Sequence, residues 1–272
     1  MTSQLLIYAS AVPVSNARHA DLSVEVGADY SFSKGVNSVP LMAVEFPHAA
    51  AEYAIVFSGT AQTFIPAVIL GMRGDENLYL TGEGGWEAKY IPAFVRRYPF
   101  VFSSSQDGKT FTLCIDEAFP GFNRDGRGQR LFGTDKKPTD YVANVLKFLE
   151  QYQVEFRRTQ AFCQKLKELK LLEPMRAQAK LKSGEQLSLT GFTAVSRDRL
   201  KALPGEKLAE LAKTGELELL YLHLQSMRNF SAMAARLGGK QAAEPAEPPI
   251  APERALKGDK SAGGNRAARV RK

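Results

Sequence analysis

The sequence predicts an α+β fold, in which a β-rich N-terminal half packs against a helical C-terminal half. Short apolar runs bounded by glycine and proline fill the first half and predict strands. Apolar residues then recur every three or four positions from residue 142 to residue 169, which is the spacing of one helix face. After residue 237 the chain is mainly Ala, Pro, Glu, Gly, Lys and Arg, which is typical of disorder. We therefore place one α+β domain at residues 1–237 and a disordered basic tail at residues 238–272.

The N-terminal half alternates predicted strands with short helical turns. Pro47 suits the first turn of a short helix at residues 47–52, because its missing N–H would be unpaired there in any case. Residues 53–57, 67–70 and 78–80 are short apolar runs, and they predict three strands.

A β-hairpin is predicted in the middle of the chain. Residues 92–97 fit one or two helical turns, and the apolar runs 100–102 and 111–115 then flank Asp107-Gly108. An Asp-Gly pair between alternating apolar residues favours a hairpin turn in which both central positions take a positive φ. Glycines among charged residues beyond this hairpin predict a loop at 119–137.

The C-terminal half is predicted to be mainly helical. The long apolar repeat predicts one helix of about thirty residues that begins near Asp140, or two helices with a bend. Residues 179–189 predict a second hairpin. Helices are then predicted at residues 204–213 and 216–237, with Gly215 ending the first of them.

More than half of the excess positive charge lies in the tail. The formal net charge is +7, and residues 238–272 contribute eight Lys/Arg and four Asp/Glu. The folded part is therefore only mildly basic, and its composition does not indicate a nucleic-acid surface. The arginines of the tail allow weak, salt-sensitive binding of nucleic acid or of an acidic partner, with a solvated solubility tail as the alternative.

The remaining composition predicts no cofactor, no metal and no membrane span. Cys114 and Cys163 lie in apolar segments and are predicted to be buried free thiols. His48 and Glu52 have an i,i+4 spacing that suits two metal ligands, but no third ligand lies nearby in the sequence. No apolar run approaches the roughly 18 residues that a membrane span requires. The N-terminus lacks the positive region of a secretory signal, so a cytoplasmic location is the default expectation.

Several segments carry a family resemblance. The longest is Tyr-Ile-Pro-Ala-Phe-Val-Arg-Arg-Tyr-Pro-Phe at residues 90–100, preceded by Trp86. The other matching residues are 39–41, 45–47, 53–57, 70–71, 76–77, 114–117, 131–132, Thr159, Phe162, 171–174, Gly191 and 226–230. Over about residues 35–237, the chain resembles the SapC family of bacterial proteins. It departs from the family pattern at Ser196, where members often carry an acidic residue.

The resemblance implies a role at the bacterial cell envelope or surface layer. Because members of the SapC family are not established as enzymes, the resemblance carries no catalytic residue to this chain. We therefore expect a non-catalytic accessory or interaction protein with an unknown protein partner, and surface association follows from the family alone.

The candidate binding residues cluster in and around residues 86–100. They are Trp86, Tyr90, Phe94, Arg96, Arg97 and Tyr98, together with the carboxylates Glu45, Asp116 and Glu117. Adjacent helix residues diverge by about 100°, so we expect one arginine to point inward and the other to face solvent. The pair either clamps an anion, or one of its members binds one of the three carboxylates and fixes the hairpin. The rings either line a binding groove or pack in the core.

An enzyme is the alternative function. An oxygenase or a hydrolase would need a pocket near Glu45, Arg96 and Asp116 in which these side chains meet. Asp116 and Glu117 are consecutive residues of a predicted strand and point to opposite faces, so they do not converge on one substrate atom. The sequence therefore assigns no catalytic residue.

Overall fold

Strands dominate the chain up to residue 130 and helices dominate it from residue 140, which confirms the predicted α+β class. The computed structural model describes residues 5–60, 64–105, 107–181 and 183–237. The predicted disordered tail, residues 238–272, lies outside the described residues.

The described elements are these, in chain order. The strands are β1 (Ala11–Pro13), β2 (Ser23–Val24), β3 (Ser38–Pro40), β4 (Ile55–Gly59), β5 (Phe64–Ile69), β6 (Phe100–Ser104), β7 (Phe111–Asp116), β8 (Phe122–Asn123), β9 (Gln129–Arg130), β10 (Leu172–Lys180) and β11 (Gln186–Val195). The helices are α1 (Asn16–His19), α2 (Phe46–Ala49), α3 (Ala93–Arg96), α4 (Asp140–Glu168), α5 (Arg197–Lys201), α6 (Gly205–Lys213), α7 (Glu216–Ser226) and α8 (Asn229–Leu237).

The strands of the described ranges form antiparallel sheets. The largest has the strand order β10-β11-β4-β5-β3, and two smaller sheets have the orders β1-β7-β6 and β8-β2-β9. In the largest sheet, Ile55 of β4 lies opposite Val68 of β5. Strand β4 is central in this sheet, and its residues Ile55, Val56 and Phe57 are all buried, so both of its faces are covered.

The two faces of the largest sheet are covered by different elements. Ile55 and Phe57 belong to a core shared with Leu166 of α4 and Leu220 of α7. Val56 points to the other face and belongs to a separate core shared with α8. This division follows from the strand, because successive side chains point to opposite faces.

Helix α4 confirms the prediction of a long helix and is one helix of 29 residues. Thr159 on its inner face is fully buried. The Thr159 hydroxyl donates to the Glu155 carbonyl (2.8 Å) and accepts the Ala43 N–H (2.9 Å). This contact fixes the chain just before Glu45 against the middle of α4.

The predicted helix at 216–237 is wrong, because two helices occupy this range. Helix α7 ends at Ser226 and α8 begins at Asn229. The Ser226 hydroxyl accepts the Ile55 N–H, and the Asn229 amide donates to the carbonyls of Ala50 and Tyr53. These contacts tie both side chains to the segment that leads into β4, at the point where α7 ends and α8 begins.

Two smaller predictions also need correction. Residues 78–80 do not form a strand in the described chain, and Leu80 makes only an isolated bridge to Trp86. The predicted loop at 119–137 contains the short strands β8 and β9, which pair with the two sides of β2. The pairing of neighbours distant in sequence creates these two strands.

The hairpin of β6 and β7 is confirmed, but its turn is wider than an Asp-Gly turn requires. Ser104 pairs with Phe111, so six residues form the connection, of which Gln106 lies outside the described residues. Gly108 has a φ of +68°, whereas Asp107 has no positive φ. The second predicted hairpin is also confirmed and is longer than expected, since it spans β10 and β11.

Both cysteines are buried free thiols, as predicted. Burial raises the pKa of the Cys163 thiol to about 12. Within the described ranges, no helix combines the length and the apolar composition needed to cross a bilayer.

The burial of His223 predicts a pH dependence of stability. Its Nε2 accepts the Val195 N–H (3.0 Å), and burial lowers the pKa of its imidazole to about 4, below the usual histidine value of about 6.5. The folded state therefore binds fewer protons than the unfolded state below pH 6.5. Stability is fully present above pH 6.5, and we expect about 3 kcal/mol of it to be lost as the pH falls toward 4.

Urea unfolding at a series of pH values measures this loss. His223→Gln should flatten the dependence between pH 6.5 and pH 4, whereas His48→Gln, at an exposed position, should retain it. Identical pH profiles for the wild type and His223→Gln would contradict the assignment.

Candidate functional site

The aromatic segment at residues 86–100 is mainly a part of the core. Phe94, Tyr98 and Phe100 are buried, whereas Trp86 and Tyr90 are half-buried. The indole N–H of Trp86 donates to the Tyr53 hydroxyl (2.7 Å). Most of these rings therefore stabilise the fold, and Tyr90 is the ring that links the core to the surface.

A buried carboxylate organises this segment. Glu45 is 4% exposed, and its carboxylate accepts hydrogen bonds from the backbone N–H of Met42 and Ala93, both at 2.7 Å, and from the Tyr90 hydroxyl at 2.6 Å. Ala93 is the first residue of α3. Glu45 thus joins the turn after β3 to the start of α3 and fixes the orientation of Tyr90.

Arg96 lies between two aromatic rings at the surface. Its guanidinium carbon is 5.8 Å from the Tyr90 ring centroid and 5.6 Å from the Phe148 centroid, and its Nε donates to the Ile91 carbonyl (2.9 Å). His48 stacks on Tyr90, with a centroid distance of 5.3 Å. We call the group of His48, Tyr90, Arg96 and Phe148 the Arg96 surface.

The electrostatics of Tyr90 keep its hydroxyl protonated. Burial raises the pKa of the Tyr90 phenol, and the neighbouring Glu45 carboxylate raises it further. The phenol therefore acts as a hydrogen-bond donor to Glu45. The ring face remains available to the guanidinium of Arg96, which cation–π attraction holds in place.

Arg97 points to the opposite side and is 2% exposed. Its guanidinium carbon is 4.2 Å from the Phe94 ring centroid, 4.9 Å from the Tyr152 centroid and 5.7 Å from the Tyr8 centroid. The predicted divergence of the two arginines is therefore confirmed.

The described contacts of the three carboxylates are with other groups than Arg96 or Arg97. Glu45 and Asp116 accept hydrogen bonds from backbone N–H groups and tyrosine hydroxyls, and Glu117 pairs with Arg18 and His19. Three aromatic rings contact the buried guanidinium of Arg97.

Asp116 forms a second buried network. Its carboxylate accepts hydrogen bonds from the backbone N–H of Ala9 (2.7 Å), Ser10 (3.1 Å) and Ala118 (3.2 Å), and from the Tyr98 hydroxyl (3.3 Å). Burial and the Asp116 carboxylate raise the pKa of Tyr98. Asp116 therefore anchors the chain before β1 to the end of β7.

Glu117 points away from Asp116, as the strand periodicity predicts. Its carboxylate contacts Arg18 and lies 2.9 Å from Nε2 of the buried His19. These two hydrogen bonds, with that of His19 first, lower the pKa of Glu117. The consecutive carboxylates thus belong to different networks.

The structure brings together two of the three side chains of the predicted enzyme pocket. Glu45 and Arg96 both contact Tyr90, whereas Asp116 contacts Tyr98. Among the described residues, Glu45 and Asp116 share no hydrogen-bond partner. In this arrangement both carboxylates accept donors from their own chain and position neighbouring segments.

Backbone N–H groups bind the carboxylate of Glu52, one member of the His48–Glu52 pair. The two oxygens of Glu52 accept the N–H groups of Lys89 and Tyr90, each at 2.9 Å. In the part of the chain that the structure describes, no group of three His, Cys, Asp or Glu is arranged to hold a metal ion.

Phe148 is the member of the Arg96 surface that sequence reasoning missed. It lies on α4, and no local signal connects it with residue 96. A half-buried aromatic residue on an otherwise apolar helix face indicates a packing position, and only the fold shows that a guanidinium is its neighbour.

A comparison with protein families gives a match to SapC over residues 14–233. The match begins at residue 14, whereas the resemblance carried by individual motifs begins near residue 35. A search of curated proteins and a search of solved structures both return no match.

The three hydrogen bonds to Glu45 make it a sensitive position. Glu45→Gln keeps one acceptor oxygen and places an NH₂ group against a buried donor. We expect the free energy of unfolding to fall by about 2–3 kcal/mol. Glu185→Gln is the control, because Glu185 is 48% exposed in its ion pair with Arg73, and a loss of less than about 1 kcal/mol is expected there. Urea denaturation measures both changes, and equal losses would refute the assigned role of Glu45.

Proposed function

The chain belongs to the SapC family, and we propose that it is a non-catalytic accessory protein of the bacterial cell envelope that binds a protein partner through the Arg96 surface. The cell-envelope setting is supported by family membership, and the binding surface is supported by geometry. The single observation that carries the proposal is an exposed guanidinium held between the rings of Tyr90 and Phe148.

This arrangement suits recognition because the arginine is already ordered. A long side chain that becomes immobile on binding loses conformational entropy, which costs about 0.5–1.5 kcal/mol. The Tyr90 and Phe148 contacts and the hydrogen bond to the Ile91 carbonyl place Arg96 before any partner arrives. Arginine and tyrosine are also enriched among the residues that dominate binding energy at protein interfaces.

The partner that fits carries a carboxylate and a flat or apolar neighbour. The planar guanidinium can bind a carboxylate in a bidentate manner, while His48 and Phe148 offer ring surface beside it. Within this proposal Glu45 and Asp116 have structural roles, since Glu45 positions Tyr90 and Asp116 anchors the chain before β1.

Co-purification of the full chain from its native cells tests the proposal. We expect Arg96→Ala to reduce recovery of the reproducible partner by about tenfold, equivalent to about 1.4 kcal/mol of binding free energy. Arg124→Ala is the matched control, because Arg124 is also exposed and contacts Asp21 on a different part of the surface. Quantitative mass spectrometry of the captured proteins gives the readout.

Folding must be unchanged for this comparison. Both variants alter exposed side chains, so their thermal midpoints should stay within about 2 °C of the wild type. The proposal is wrong if no protein is reproducibly enriched, or if Arg96→Ala and the wild type recover the same partner equally.

A further inference from the structure

A second surface of the molecule carries exposed apolar residues. A groove of about 380 Å³ lies between the β6–β7 hairpin and α4. Phe102 and Phe111 line one side, and Leu146 and Val154 line the other. Phe111 is 36% exposed and Val154 is 46% exposed, which is unusual for apolar side chains of this size in one place.

The α4 side of the groove also carries one acidic and one basic side chain, spaced two helical turns apart. Glu150 and Arg157 are seven residues apart, which corresponds to about 10 Å along the helix and nearly the same angular position. Among the described residues, neither of them pairs with an opposite charge, and Arg157 lies over the Phe111 ring at 5.9 Å. Gln153 and Val154 occupy the midpoint between the two charges.

We propose that a second copy of this chain docks on this surface, with its α4 antiparallel to the first. A two-fold axis that passes between Gln153 and Val154 places Glu150 of each copy opposite Arg157 of the other. The same axis brings the two Val154 side chains together beside Phe111. A contact of this kind is isologous, because one surface patch meets itself.

Charge complementarity selects this occupant. A partner segment of one charge sign satisfies either Glu150 or Arg157 and opposes the other. A segment that satisfies both must place a cation opposite Glu150 and an anion opposite Arg157, about 10 Å apart. An antiparallel copy of α4 does this, because it presents its own Arg157 and Glu150 at that spacing. An antiparallel copy of α4 therefore fulfils the requirement twice.

The dimer surface is separate from the Arg96 surface. Phe148 and Val154 are six residues apart on α4, so their side chains diverge by about 120° around the helix. A standard interface buries roughly 800 Å² per partner, and this contact involves only one helix face and one hairpin, so we expect a weak association that depends on concentration.

Analytical ultracentrifugation of the full chain over a range of protein concentrations tests this dimer. The wild type should pass from monomer to dimer as the concentration rises. Glu150→Arg and Arg157→Glu should each raise the apparent dissociation constant at least about tenfold, because each variant places like charges opposite each other. Both substitutions use good helix formers at exposed positions and should leave α4 intact.

Mixing the two variants gives the decisive measurement. The Glu150→Arg chain carries two cations on this face and the Arg157→Glu chain carries two anions, so their equimolar mixture should form a heterodimer. Glu185→Arg, on the β10–β11 hairpin, is the control and should dimerise like the wild type. A wild type that stays monomeric, single variants that dimerise normally, or a mixture that stays monomeric would each overturn the proposal.

Discussion

The buried carboxylate of Glu45 is the constraint on which the arrangement of residues 86–100 depends. An ionised carboxylate loses much of its hydration when it is buried, and this cost must be offset by hydrogen bonds. Met42, Tyr90 and Ala93 supply them from two segments of the chain. Because Ala93 begins α3, the position of this helix and the directions of both arginines follow from one side chain.

The two adjacent arginines of the motif have different roles, because the turn of the helix directs one of them into the core and the other to the surface. Arg97 lies inside, where three aromatic faces surround its charge, and Arg96 lies outside between two half-buried rings. Asp116, like Glu45, is a buried carboxylate that joins two segments, because it accepts hydrogen bonds from Tyr98 and from the chain before β1. The aromatic motif is long because its residues contribute to the hydrogen-bond network of Glu45, to that of Asp116 and to the exposed contacts of Arg96.

Local patterns predicted the parts of this fold that local physics determines. The apolar repeat predicted α4, an Asp-Gly and a Ser-Gly turn predicted the two hairpins, and helix geometry alone predicted that Arg96 and Arg97 diverge. The sequence could not show the partners of the buried charges, because Glu45 lies 48 positions from Ala93 in the chain. The break between α7 and α8 was missed for the same reason, since Asn229 reaches back 179 residues to the Ala50 carbonyl.

The placement of the two proposed contact surfaces on different sides of α4 has a consequence for binding strength. An antiparallel dimer through α4 leaves both copies of the Arg96 surface accessible, because Phe148 points about 120° away from Val154 around the helix. Two weak sites held on one rigid body bind a repetitive target far more tightly than either site alone, provided that the spacing allows both to engage. The proposed dimer would present two Arg96 surfaces to such a target, so each surface would need only modest affinity.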